Sequence, residues 1–175
     1  MTDETLMERF IAGDSGAFEV LFQRYSQPIH GYLTRMAGSE AQAEDLTQLT
    51  FLSVLRSRER FRPGALFRPW LYAIATNAAR DQHRRRRPEE PIEQAAGEVE
   101  EPLAQVDPFQ REAVRQALAK LPENQRTPIV LHRFEGLSFA EIAGVVGATE
   151  TAVKVRAHRG YEKLRELLAH LETGR

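Results

Sequence analysis

Cysteine is absent from the 175 residues, which excludes disulfides, thiolate zinc sites and thiol redox sensing within the chain. No apolar run approaches the roughly 20 residues that span a bilayer. The amino-terminal MTDETLMERF is acidic and lacks the apolar segment of a secretion signal. The reading is a cytoplasmic protein with no membrane partner. Enzyme signatures are missing too: there is no P-loop, no HExxH and no glycine-rich dinucleotide turn. His30, His83, His132, His158 and His170 show no paired spacing with acids that would favour a metal. No cofactor or metal is expected, and no residue is assigned a catalytic role. Strand-like alternation never persists beyond a few residues, and there is no internal repeat.

An excess of either charge is also lacking, with 24 Lys and Arg against 25 Asp and Glu and a formal net charge of −1. The balance conceals segregation. Residues 1–60 carry 6 basic and 9 acidic side chains, 61–88 carry 7 and 1, 89–112 carry 1 and 8, and 113–175 carry 10 and 7. Two basic blocks flanking an acidic one suit two DNA-contacting modules joined by a segment that phosphate repels.

Apolar periodicity predicts helices at about 3–12, 14–36, 40–56 and 67–87, then at 109–120, 122–134, 139–146 and 150–171. Between the two groups lies PEEPIEQAAGEVEEPLAQVDP at 88–108, with four prolines and seven acids, which reads as an acidic flexible linker. The expectation is an all-α protein of two small helical domains, 1–87 and 109–175, each with its own core. Fully extended, the linker reaches roughly 70 Å, and two turns of duplex cover roughly 70 Å. The modules can therefore occupy two DNA elements that far apart.

The stretch LSFAEIAGVVGATETAVKVRAHRGYEKLR at 137–165 has the pattern of a helix-turn-helix. Ser138 and Glu141 form a capping-box pair, Gly147 supplies the backbone freedom for a sharp stop, and Thr149 can cap the next helix. In that second helix Val153, Ala157, Tyr161, Leu164 and Leu168 make a core stripe. The other side presents Thr151, Lys154, Val155 and His158, flanked by Arg156 and Arg159, the donors, methyls and cations that a major-groove reader needs. Arg159 is assigned to a phosphate, Lys154 to a base edge and His158 to a groove-side donor. His132 is read as a packed or surface histidine.

The first basic block, FRPGALFRPWLYAIATNAARDQHRRRR at 61–87, mixes aromatics with cations. Arg60, Phe61, Arg62, Phe67 and Trp70 fall around a loop punctuated by proline and glycine. Asn77, Arg80, Arg84 and Arg85 follow on a helix whose end is loaded with positive charge. Such aromatic and cationic groups can hold unstacked bases and track a single strand. Packing in a core is the other use of these rings, and Trp70 and Tyr72 are expected to be partly buried. One rival function uses the helix-turn-helix equally well: a self-sufficient DNA-binding regulator whose residues 1–87 sense a ligand or dimerise.

Four pieces, AEDLTQLTFLSVL at 43–55, FRPWLYAIATNAARD at 67–81, LPENQRTPIVLHRFEGLSFAEIA at 121–143 and TAVKVRAHRGYEKLR at 151–165, resemble the extracytoplasmic-function sigma factors of the sigma-70 family. The resemblance implies a region 2-like first domain and a region 4-like second domain in a non-catalytic, promoter-specificity subunit. Its partners would be core RNA polymerase, through the beta-prime clamp and the beta flap, and promoter DNA. It also allows an anti-sigma factor as a further partner. By the same resemblance the clamp surface falls on Glu44, Asp45, Gln48 and Phe51. Many family members carry an acid directly after that glutamine, whereas here the residue is Leu49. The loop from Arg60 to Phe67 would pocket a flipped minus-10 base, Asn77 and Arg80 would join the minus-10 surface, and the helix-turn-helix would read the minus-35 element. Binding, rather than hydrolysis, would drive the melting, since flipping costs a few kcal/mol that a pocket and a basic tail can offset.

Overall fold

The computed structural model describes residues 1–85 and 108–172, and every regular element among them is helical. The chain divides into two compact units, Met1–Ala96 and Gly97–Arg175. Residues 86–107, which include Arg86, Arg87 and nearly all of the stretch read as a linker, lie outside the described residues.

The first unit contains α1 (Asp3–Ile11), α2 (Ser15–Ala37), α3 (Glu40–Ser57), a short 3-10 turn (Arg58–Arg60) and α4 (Phe67–Arg85). Local chemistry sets the helix starts: Thr2, Asp14 and Ser39 each accept a backbone N–H from the first turn that follows, contacts worth about 1 kcal/mol apiece. Arg9 sits 2.5 Å from the Asp14 carboxylate and, chiefly through that hydrogen bond, holds it below its ordinary pKa. Gly38 ends α2 in the left-handed region at φ 75°. α2 packs against α1, α3 and α4, and Leu6, Met7, Leu21, Ile29, Leu33, Leu46 and Leu71 fill the space between them. Each such side chain stabilises the fold by about 1.5–3 kcal/mol. Tyr32 and Tyr72 stack edge to face at 5.3 Å, and the Tyr32 hydroxyl meets Thr76 Oγ1 at 2.7 Å, so this buried polar pair is satisfied.

The second unit contains α5 (Pro108–Ala119), α6 (Glu123–Arg133), α7 (Phe139–Val146) and α8 (Glu150–Glu172), with α8 packed on the other three. Leu118, Leu121, Ile129, Leu131, Leu137, Ile142, Val145, Val153 and Ala157 form its core. Gly160 is buried where α8 meets α6: a Cβ there would lie 2.5 Å from Ile129 Cδ1 and 3.3 Å from Gln125 Cβ. A side chain at this position would require the tip of Ile129 to move and would press on Gln125, so glycine suits the close approach of the two helices.

Candidate nucleic-acid and polymerase interfaces

Ser138 caps α7 by accepting the Glu141 N–H at 3.1 Å, and the Glu141 carboxylate accepts the Ser138 N–H at 3.2 Å in return. Gly147 closes the helix at φ 69°, and Thr149 Oγ1 accepts the Ala152 N–H at 3.1 Å to start α8. A three-residue turn, Gly147 to Thr149, thus fixes the angle between the helices. On α8, Val153 and Ala157 face the core while Thr151, Lys154, Val155, His158 and Arg159 are exposed. Arg156 is half-buried at the edge of this face. Glu150 stands 3.2 Å from Lys154, and Glu162 3.2 Å from His158. The i,i+4 spacing of both acids is the signal in the sequence for such pairs. His132 is packed, with its ring stacked on Phe139 at 4.2 Å and Nδ1 2.8 Å from the Leu137 carbonyl.

In the first unit, Trp70, Asn77, Arg80 and Arg84 share one side of α4 by their spacing, and Asn77 and Arg84 are exposed on it. Arg85 is exposed but falls outside that row. Arg60 and Arg62 are exposed on the preceding segment. Phe61 and Phe67 correct the sequence reading. They are 6% and 0% exposed and stack against each other at 6.3 Å and against Trp70 at 5.2 and 6.1 Å. Neither ring has a face left for a base. They form the floor on which the loop stands, with Trp70 half-buried above them and Tyr72 wholly buried rather than partly so.

Along α3, Glu44, Asp45 and Gln48 are exposed on one side. Phe51 requires a second correction: it is 4% exposed because Phe18 and Phe22 of α2 cover it, with ring centroids at 6.4 and 4.8 Å. The aromatic that reaches the surface here is Phe22. Leu49, standing where many family members have an acid, is exposed, as is Leu52. Asp45, Gln48, Leu49 and Leu52 follow i, i+3, i+4 and i+7 spacing and make a mixed polar and apolar face. Among the described residues, no group of histidines and acids could hold a metal ion, and no helix is long and apolar enough to cross a membrane.

A helix-turn-helix with an exposed cationic face in the second unit, together with a first unit that couples a basic helix to an acidic and apolar one, defines an all-α DNA-binding protein with a further protein-docking surface. The Sigma-70 region 2 family matches residues 21–89 and Sigma-70, region 4 matches 111–164. The chain is 47% identical to RNA polymerase sigma factor CarQ of Myxococcus xanthus over 169 residues, covering 95% of this chain and 97% of the relative. It is 34% identical to ECF RNA polymerase sigma factor SigM of Mycobacterium tuberculosis, covering 99% of this chain and 88% of that one. CnrH, solved in complex with the cytosolic domain of CnrY, superposes with a TM-score of 0.75 at 30% identity, covering 96% of this chain and 97% of that chain. This chain belongs to the ECF sigma factors of the sigma-70 family. It is a non-catalytic, promoter-recognition subunit that binds core RNA polymerase and promoter DNA. A self-sufficient regulator with a ligand-sensing first half has no place for a region 2 match over 21–89.

Proposed function

We propose that α8 reads the minus-35 element as duplex, with Thr151, Lys154, Val155 and His158 toward the base edges and Arg156 and Arg159 on phosphate. Thr149 contributes by holding the helix start against the groove. The observation that carries this is the Ser138, Gly147 and Thr149 hydrogen-bonded turn, which aims one exposed side of α8 outward as a rigid unit. In the first unit, Arg60, Arg62, Trp70, Asn77, Arg80, Arg84 and Arg85 engage the minus-10 element, while Phe61 and Phe67 support them from beneath. Glu44, Asp45 and Gln48 dock on arginines of the beta-prime clamp through charge-assisted bonds, with Phe51 as the packing behind that face and Leu49 adding apolar contact. The second unit meets the beta flap. Domain boundaries at 1–87, 88–108 and 109–175 follow from this division of labour.

The protein works in the cytoplasm, where polymerase and promoter are found. CnrH is held by a cytosolic domain of another protein, and an anti-sigma factor is the corresponding partner for this chain. Run-off transcription with bacterial core RNA polymerase, with and without the protein, tests the whole reading. New defined start sites sharing two upstream elements support it. A chain that binds a discrete duplex site alone but neither binds nor redirects polymerase would overturn it.

A further inference from the structure

We propose that His158 changes the base it prefers with its own protonation, and that Glu162 makes this possible by fixing which ring nitrogen meets the DNA. The inference rests on the base-edge role given above to α8. Glu150, Lys154, His158 and Glu162 stand four residues apart in one row along α8, and residues spaced this way are neighbours on a helix surface. Both ends of the row are tied in, Glu150 to Lys154 and Glu162 to His158, each at 3.2 Å.

The atom of His158 that meets Glu162 is Nε2. An ionised carboxylate only accepts, so Nε2 carries hydrogen and, in the neutral ring, Nδ1 is left as a lone-pair acceptor. Nδ1 then takes an amino group at the major-groove edge, cytosine N4 or adenine N6. When Nδ1 takes up a proton from solvent it becomes a donor, and it pairs with guanine O6 or N7 or with thymine O4 instead. Of the other side chains turned to base edges, Lys154 only donates, Val155 is apolar and the Thr151 hydroxyl does both, so none changes role near neutrality. Histidine does, because its charge changes between about pH 5 and 8. The His158 side chain is 70% exposed, and α5, α6 and α7 pack on α8 where Val153, Ala157 and Gly160 are buried. The charged and titratable groups around the ring are therefore those of α8 itself: Glu162, Lys154, Arg159, Tyr161 and Arg165. His132 of α6 and Glu141 of α7 are occupied elsewhere, on the Leu137 carbonyl and the Ser138 N–H.

The test uses the full chain in holoenzyme with bacterial core RNA polymerase. Affinities for promoter duplexes that differ at single minus-35 base pairs are measured at about pH 6 and about pH 8, on either side of the ordinary histidine range. Ratios between duplexes at one pH cancel titrations elsewhere in the assembly. For the wild type, guanine should gain on cytosine at one position by roughly fivefold as pH falls, the size of one hydrogen bond exchanged. His158→Gln, whose amide offers a donor and an acceptor at both pH values, should lose that dependence. Glu162→Ala lets either nitrogen carry the hydrogen of the neutral ring, so the preference for cytosine at the higher pH should shrink. Its preference for guanine at the lower pH, where both nitrogens carry hydrogen, should stay. A wild-type ratio that is equal at the two pH values would overturn the proposal, as would a pH dependence that survives His158→Gln. Failure of the base-edge reading looks different: His158→Gln would then weaken every duplex alike at both pH values, and the proposal would fall with it.

Discussion

The Glu4 carboxylate accepts the backbone N–H of Phe67 at 3.0 Å across 63 residues of sequence. The opening amides of a helix have no partner within it, so a side chain of α1 caps α4. A carboxylate at that end also meets the positive pole of the helix. The contact determines where α4 begins and therefore where the loop before it ends. Glu4→Ala should destabilise the first unit by about 1 kcal/mol, which for a domain of this size lowers Tm by about 4–8 °C. Glu4→Gln, which keeps an acceptor, should lose less. Thermal unfolding followed by circular dichroism checks both, and an Ala variant that melts with the wild type would remove Glu4 as a determinant of the loop.

Tyr25 donates its hydroxyl hydrogen to Asp3, which also pairs with Arg24 at 2.9 Å. Burial first, and then the carboxylate beside it, push the phenol well above its ordinary value of 10.0. A raised folded-state value places the stabilisation below the ordinary tyrosine pKa, and it is lost as pH climbs beyond that. At neutral pH Tyr25→Phe should be less stable by about 1–2 kcal/mol, toward the lower range for a bond to a charged group, because Arg24 still satisfies Asp3. The gap between variant and wild type should then narrow above about pH 10. Urea unfolding at pH 7 and at pH 10.5 measures both gaps, and a constant gap would show that the phenol does not titrate with folding.

Helix positions were legible because their signals are local. Ser138 with Glu141, Gly147 and Thr149 announce a turn whose hydrogen bonds each lie within a few residues. The faces of single helices were legible too, as with Glu44, Asp45 and Gln48. What sequence did not reveal is which rings a neighbouring helix covers. Phe51 lies seven residues from Glu44 and shares its edge by periodicity, and only the approach of Phe18 and Phe22 from α2 removes it from the surface. Phe67 was decidable in principle, since Leu71 and Ala75 follow it at i+4 and i+8 on the buried side. An aromatic next to arginines is the composition of a base-stacking surface and of a core rim alike. Burial separates them, and burial is a tertiary quantity.

Two glycines of the helix-turn-helix should respond to alanine in opposite directions. Gly147 has φ 69° and nothing within 4 Å of a built Cβ, so the penalty there is the backbone alone, about 1–2 kcal/mol. Gly144 lies inside α7, is exposed and has equally open surroundings. Gly144→Ala should therefore stabilise the unit by about 0.8–1 kcal/mol through helix propensity. Denaturant midpoints of the two variants should move apart on either side of the wild type. Movement in the same direction would mean that the turn at Gly147 is not maintained in solution.

Lys154 and Arg159 are both exposed cations on α8 but differ in surroundings. Lys154 is tied to Glu150 at 3.2 Å, which draws its ammonium along the helix and imposes a geometry, whereas a phosphate contact requires little more than charge. Lys154→Ala should relax preference at one minus-35 base pair, by about 1–3 kcal/mol, and Arg159→Ala should weaken every sequence alike while lowering the salt slope by about 1. Glu150→Gln removes an acid from a face that approaches phosphate and should tighten binding to all minus-35 variants while blunting the discrimination that Lys154 provides. Holoenzyme binding to a panel of single-substituted minus-35 duplexes, repeated across a salt series, separates these outcomes. If Arg159→Ala alters preference at a single base while Lys154→Ala alters only the salt slope, the two residues exchange roles, and Glu150 then shields a phosphate contact instead of orienting a reader.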